Sequence, residues 1–206
     1  MLADKYKIRV FCAAYRLAPE YPYPAALDDA LTVYDYIRRF GYQPKEIVLV
    51  GESAGGGLIN ALCMKLRDLK QPLPAGIISI SPWTDLTMSG DSFAGKAEDD
   101  VALTPNQVQY YADIYTAGAD TADPYISPLF GNVTGFPPSL IFVGSDEILL
   151  DDSVRFYEKL NAAGVRCELS VGDGLWHVYP LYGVKESKPV YDKIHEFLKE
   201  ILNDKI

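Results

Sequence analysis

Short apolar runs alternate with amphipathic stretches along most of the chain. Runs rich in Val, Ile, Leu or Phe occupy residues 8–15, 46–50, 76–80, 139–143 and 166–171. Most of them are apolar at consecutive positions rather than at every second position, which is typical of strands covered by helices on both faces. The runs therefore predict a mostly parallel sheet of about five strands.

The amphipathic stretches between these runs predict helices. Apolar residues recur at helical spacing over residues 27–37, 55–69 and 151–163, and again behind Pro189 near the end of the chain. Strands that alternate with helices of this length are typical of βα units. We therefore expect an α/β fold, organised as a single domain over residues 1–206.

One polar segment, residues 88–128, interrupts the alternation. It contains Thr104 and Pro105, a typical helix start, followed by a tyrosine-rich helical stretch to about residue 117. We expect a small helical, cap-like insertion that lies over one end of the sheet. Two interpretations stay open, a wall of a substrate pocket and a surface helix without contact to substrate.

Composition and charge exclude several classes of binding partner from the expectation. The 206 residues carry a formal charge of −9, which disfavours binding to the phosphate backbone of nucleic acids. No apolar run reaches 18 residues, and the first residues lack the pattern of a signal peptide, so neither a membrane span nor secretion is expected. Cys12, Cys63 and Cys167 lack metal-ligand spacing and are predicted to be buried free thiols of a cytoplasmic protein.

Gly51-Glu52-Ser53-Ala54-Gly55 is the strongest chemical signal, because it satisfies the G-x-S-x-G pattern. It follows one predicted strand and opens one predicted helix, which is the context that a nucleophile elbow needs. Gly51 and Gly55 would let strand and helix approach each other without Cβ clashes. Ser53 is therefore predicted to be a nucleophile, and the backbone N–H of Ala54 an oxyanion donor.

Only two histidines are present to serve as the base for Ser53. His195 falls within the closing amphipathic helix, where a solvated surface position is expected. His177 follows the last predicted strand in a loop with two glycines, where functional residues of α/β sheets collect. His177 is therefore the predicted base.

A carboxylate should orient the imidazole from the end of another strand. The run after residues 139–143 offers Asp146, Glu147, Asp151 and Asp152. The last two are suited to the first turn of a helix, where they complement its dipole. Position alone leaves Asp146 and Glu147 as alternatives.

Longer blocks of sequence carry a family resemblance. They are Y-R-L-A-P-E at residues 15–20 with P-x-P-A-A at 22–26, the G-E-S-A-G-G elbow at 51–56, S-P-W-T-D-L at 81–86, D-P-Y-I-S-P-L at 123–129 and W-H-V at 176–178. With these blocks the chain resembles the hormone-sensitive-lipase-like branch of the α/β-hydrolase carboxylesterases. The order of serine, acid and histidine along the chain is also that of α/β-hydrolases.

The resemblance implies a function and settles the acid. The family pattern aligns Glu147 with the catalytic acid and leaves Asp146 as the alternative. It implies a Ser53–His177–Glu147 triad that hydrolyses short-chain acyl esters, with no metal and no organic cofactor. A catalytically inactive α/β-hydrolase-like fragment or binding protein is the alternative function.

The chain departs from the family in two respects. Ala14 stands where the family commonly has Asp, and the upstream H-G-G-G loop, which supplies oxyanion donors, precedes the point at which this sequence begins. Residues 1–7 resemble the end of the helix after that loop, so the sequence is expected to be N-terminally truncated relative to the family. An open sheet edge, and through it a homodimer, is the expected consequence.

Overall fold

The computed structural model describes residues 3, 6 and 8–202, so the expectation that residues 1–7 end a helix falls largely outside the described residues. Within these residues, four strands form one parallel sheet in the order β1-β2-β3-β4. They are β1 (Val48–Glu52), β2 (Gly76–Ile80), β3 (Ser139–Gly144) and β4 (Cys167–Gly172). The carboxyl ends of parallel strands all meet at one end of the sheet.

The helices follow the amphipathic stretches of the sequence, and the α/β fold predicted from them is confirmed. The described helices are α1 (Ala25–Arg39), α2 (Ala54–Asp68), α3 (Asp91–Gly95), α4 (Pro105–Thr116), α5 (Leu150–Ala162) and α6 (Ser187–Ile201). Thr104 caps α4 as expected, since its hydroxyl accepts a hydrogen bond from the N–H of Gln107 at 3.4 Å. Short 3₁₀ turns lie at Pro44–Glu46, Pro128–Phe130 and Tyr179–Tyr182.

Helices cover the sheet on both faces because neighbouring residues of each strand point in opposite directions. Ile78 and Phe142 pack with Ile194 of α6 on one face. Ile77 and Ile141 pack with α2 and α5 on the other. β2 and β3 are buried at every position, as their continuous apolar runs predict.

The two outer strands differ from this expectation. β1 and β4 each contain exposed positions, among them Val50 and Val171. Each outer strand has a hydrogen-bonded neighbour on one side only among the described residues. Their apolar runs therefore do not produce strands covered on both faces.

The predicted first strand, residues 8–15, is wrong. These residues form neither strand nor helix, and Val10 and Phe11 are about half exposed. An apolar run becomes a strand only when a neighbouring strand pairs with its backbone N–H and C=O groups. β1 pairs with β2 alone among the described residues, so the sheet has four strands rather than five. Cys12 lies in this segment and is exposed rather than buried.

Candidate active site

Ser53 occupies a sharp turn at the carboxyl end of β1. Its backbone has φ 52° and ψ −124°, a conformation that a residue with a side chain rarely adopts. Two contacts with the end of β2 and the loop after it hold it there: its N–H donates to the carbonyl of Ile80 at 3.0 Å, and its carbonyl accepts from the N–H of Trp83 at 2.9 Å. The turn places the Ser53 side chain at the start of α2, above the end of the sheet.

The two glycines predicted for this turn differ in what they do. A Cβ at Gly51 would lie 2.4 Å from the carbonyl oxygen of Gly55, far inside van der Waals contact. A Cβ at Gly55 would meet nothing within 4 Å. Close approach between strand and helix therefore requires glycine at position 51, whereas position 55 has room for a side chain.

His177 lies beside Ser53, although 124 residues separate the two along the chain. The imidazole Nε2 is 2.9 Å from the Ser53 hydroxyl oxygen, and Nδ1 is 2.6 Å from Oε2 of Glu147. An ionised carboxylate can only accept a hydrogen bond, so Nδ1 carries the proton and Nε2 is left to accept from the serine. The ring is buried, and its contact with Glu147 is buried as well, whereas its contact with Ser53 is only partly buried.

Glu147 is fully buried in the turn between β3 and α5. Its Oε1 accepts hydrogen bonds from the N–H of Gly144 and from the hydroxyl of Ser81, both at 2.7 Å. Its other oxygen is thereby free for His177. Asp146, the alternative acid, points elsewhere and lies 3.4 Å from the ammonium group of Lys96.

His195 lies apart from these residues. Its ring stacks on that of Tyr6, with 4.6 Å between ring centroids, and its Nδ1 is buried. His195 is partly buried rather than fully solvated as expected, because the closing helix turns this side chain toward the start of the described chain. The structure brings together Ser53, His177 and Glu147 and leaves His195 and Asp146 outside their hydrogen-bonded chain.

Ser81 is a site residue that the sequence patterns did not single out. It is fully buried after β2, and its hydroxyl both donates to Glu147 and accepts from the N–H of Val178 at 3.0 Å. Its position in the S-P-W block of the family resemblance is the only sequence feature that could have pointed to it. The sequence pattern alone does not show that this hydroxyl contacts two other loops, the one that carries Glu147 and the one that carries His177.

The insertion at 88–128 holds the loop that carries Glu147. Asp100 accepts a hydrogen bond from the N–H of Ile148 at 3.0 Å, and Ser92 donates to the carbonyl of the same residue at 2.8 Å. Ser92 and Asp151 also form two hydrogen bonds with each other. The N–H of Ser92 donates to the carboxylate of Asp151, and the N–H of Asp151 donates to the hydroxyl of Ser92. The insertion thus contacts the acid loop from outside the sheet.

Asp152 has a further tertiary contact that its place in the first turn of α5 does not suggest. Its Oδ2 accepts the N–H groups of Thr84 and Asp85, both at 2.7 Å. Burial raises the pKa of the Asp152 carboxyl to about 8, although these backbone donors oppose the shift. Burial also acts to raise the pKa of Asp85, but hydrogen bonds from Ser89 and Thr87 outweigh it and lower that pKa.

Neither a metal site nor a membrane-spanning helix is present among the described residues. No group of three or more His, Cys, Asp or Glu side chains in that part of the chain is arranged to hold a metal ion. None of the helices described there combines the length and apolar character needed to cross a bilayer.

Comparison with known proteins places the chain in a family. A family model described as the alpha/beta hydrolase fold matches residues 1–181. The chain belongs to that family. Among α/β-hydrolases of known structure, EstE5 soaked with ethyl alcohol has a TM-score of 0.89 at 41% identity, covering 92% of this chain and 64% of EstE5. An esterase from the bacterial hormone-sensitive lipase family has the same TM-score at 38% identity and the same coverage. The resemblance to this branch is thereby confirmed.

Curated relatives are also similar to this α/β-hydrolase over nearly its whole length. An esterase of Acinetobacter venetianus is 37% identical over 199 residues, which is 95% of this chain and 66% of that protein. An acetyl-hydrolase of Streptomyces hygroscopicus is 37% identical over 181 residues, 88% of this chain and 60% of that one. The chain therefore spans less than two thirds of the length of these relatives.

Proposed function

We propose that this chain carries the reacting groups of a serine carboxylesterase that acts on short-chain acyl esters. The observation that carries the proposal is the continuous hydrogen-bonded chain from Ser53 through His177 to Glu147. Ser53 would be the nucleophile, His177 the general base and then the general acid, and Glu147 the group that holds the imidazole in the required tautomer. Relatives named esterase and acetyl-hydrolase support the same chemistry.

The reaction would proceed in two acyl-transfer steps. The Ser53 oxygen attacks the ester carbonyl while its proton passes to Nε2 of His177. His177 then gives this proton to the departing alcohol, leaving an acyl-serine. In the second step His177 takes a proton from water, the resulting hydroxide attacks the acyl carbon, and the proton returns to Ser53 as the carboxylic acid leaves.

The negative charge on the carbonyl oxygen needs hydrogen-bond donors. The N–H of Ala54 has no acceptor within its own helix, because it belongs to the first residue of α2. We assign it one place in the oxyanion hole. In the family a second donor comes from the H-G-G-G loop, so a polypeptide limited to these 206 residues is expected to be slower by about 10²–10³ in turnover.

Turnover of p-nitrophenyl acetate and p-nitrophenyl butyrate tests the proposal. A crystal of the relative EstE5 was soaked with the second of these esters. Hydrolysis by the unmodified chain should disappear in Ser53→Ala and persist in Ser153→Ala, whose buried hydroxyl has no hydrogen-bond partner. Equal rates in the unmodified chain and in Ser53→Ala would contradict the esterase proposal and favour a binding protein.

Covalent labelling gives a second readout that needs no turnover. A serine-directed fluorophosphonate should add once, and peptide mapping should place the label on Ser53. Labelling that survives Ser53→Ala would overturn the assignment of the nucleophile.

A further inference from the structure

The loop after β2 contacts all three segments that meet at the candidate site. Ile80 and Trp83 exchange hydrogen bonds with the backbone of Ser53. Between them in sequence, the hydroxyl of Ser81 contacts Glu147 and the N–H of Val178, the residue after His177. One short loop therefore joins the serine turn, the acid turn and the histidine loop.

Ser81 is fixed to the sheet by its own backbone. Its N–H donates to the carbonyl of Phe142 in β3 at 2.6 Å, and its φ of 46° lies in the left-handed region. A non-glycine residue stays in that region only when its surroundings hold it there. Because Ser81 is fully buried, its hydroxyl lies between Glu147 and Val178 and contacts both of them rather than water.

The hydroxyl of Ser81 has one proton to donate, and the geometry assigns it to Glu147. Because the Val178 N–H donates to the Ser81 oxygen, the hydroxyl proton is available for Oε1 of Glu147 at 2.7 Å. The other donor to Oε1 is Gly144, only three residues from Glu147 in its own turn. Ser81 is thus the donor that ties Oε1 of the carboxylate to the loop after β2, 66 residues away.

The same hydroxyl restrains the histidine loop. Val178 is β-branched and has φ 49°, which is unfavourable for such a residue. Its N–H donates to Ser81, so this contact helps to hold the strained turn that directly follows His177. A change at Ser81 would loosen the acid and the base at the same time.

We propose that Ser81 is a positioning residue, whose single hydroxyl sets the distance and orientation between Glu147 and His177. This inference rests on the proposed function, because orientation of the imidazole matters only if His177 works on Ser53. Ser81 does not touch the reacting atoms and acts through the other two side chains.

The first test is a proton NMR measurement on the full chain that needs no turnover. A proton held between imidazole Nδ1 and a carboxylate resonates far downfield, and loss of the signal in His177→Gln would assign it. We expect Ser81→Ala to shift the signal or remove it, and to speed hydrogen exchange at the Val178 amide. Ser153→Ala, which removes another fully buried serine hydroxyl, should leave both unchanged.

The second test separates kcat from KM for p-nitrophenyl butyrate. Losing one hydrogen bond to a charged group is expected to lower kcat about 10- to 100-fold in Ser81→Ala, with KM nearly unchanged. Ser81→Gly also lacks the hydroxyl, but glycine adopts positive φ without steric cost. A lowered kcat in a stably folded glycine variant would therefore come from lost positioning and not from backbone strain. Ser81→Cys keeps a weak donor of similar shape and should recover part of the rate.

The outcomes distinguish the two proposals. A wild-type downfield signal without turnover would contradict the esterase proposal, and the NMR comparison alone would then decide the role of Ser81. Folded Ser81→Ala and Ser81→Gly variants with an unchanged signal and unchanged kcat would overturn the positioning role. Absence of the signal from the wild-type chain would overturn it as well, since Glu147 and His177 would then not be held in contact.

Discussion

His177 Nδ1 lies 2.6 Å from Oε2 of Glu147, whereas the neighbouring carboxylate of Asp146 faces Lys96. The two acids are adjacent in sequence, yet the turn after β3 sends one into the protein and the other toward solvent. This difference provides a matched pair of substitutions for testing which carboxylate assists the histidine.

Glu147→Gln should lower kcat for p-nitrophenyl butyrate by about 10³–10⁴, because an amide no longer holds the imidazole in the required tautomer. Asp146→Asn, which removes a partly exposed charge, should keep nearly full activity. Steady-state kinetics on both variants measure the effect. A loss of activity in Asp146→Asn that equals the loss in Glu147→Gln would contradict the assignment of the acid.

The glycines of the serine turn should respond differently to a methyl group. Gly51→Ala places a Cβ 2.4 Å from the Gly55 carbonyl oxygen, and we expect it to lower the free energy of unfolding by about 1–3 kcal/mol. Gly55→Ala meets no neighbour and should be neutral or stabilise α2 by up to about 1 kcal/mol. Urea unfolding of the two variants compares them, and equal destabilisation would contradict the described turn.

Asp152 should make stability depend on pH. Its pKa is raised from 3.8 to about 8 in the folded chain, so between these values the folded state binds a proton that the unfolded state releases. The free energy of unfolding should therefore fall as pH rises from about 4 to about 8.

Asp152→Asn, a neutral side chain that still accepts from Thr84 and Asp85, should lack this part of the pH dependence. Urea midpoints of both chains across this range provide the measurement. Asp151→Asn, at the preceding position, should retain the wild-type dependence of stability on pH. Parallel pH profiles for wild type and Asp152→Asn would show that the Asp152 pKa is not raised.

Asp100 should stabilise the loop that carries Glu147. Asp100→Ala leaves the buried N–H of Ile148 without its acceptor, at an expected cost of about 1–3 kcal/mol in unfolding free energy. The rate of fluorophosphonate labelling at Ser53 should fall as the acid turn loosens. Asp99→Ala removes the adjacent exposed carboxylate and should change neither quantity. Wild-type stability and labelling in Asp100→Ala would contradict this bracing role.

The outer edge of β1 should promote association of these 206 residues. β1 pairs with β2 on one side, no described strand lies on the other, and Val50 is 41% exposed. Open edges of this kind recruit further chains. Light scattering should show a molecular mass that rises with concentration, and Val50→Lys should reduce it. A monodisperse monomer at every concentration would contradict the prediction.

The sequence by itself determined the α/β alternation and the serine turn, because both leave a pattern in residues close together in the chain. Apolar runs and helical periodicity reflect burial of one element at a time, and G-x-S-x-G combines a strand end with a helix start within five residues. The sequence also allows His177 to be predicted as the base, since only two histidines are present and only one of them follows a predicted strand.

The tertiary structure decided the features that depend on residues far apart in sequence. Residues 8–15 have the pattern of a strand but lack a pairing neighbour among the described residues, so strand propensity alone misled the prediction. Glu147 and Asp146 are equivalent by position alone; the family resemblance favours Glu147, and the direction of the turn decides which of the two carboxylates reaches His177. The side chains of Ser81 and Asp152 gain their contacts from partners 66 to 97 residues away, and such hydrogen bonds leave no periodic pattern in the sequence because they exist only once the strands have been placed side by side.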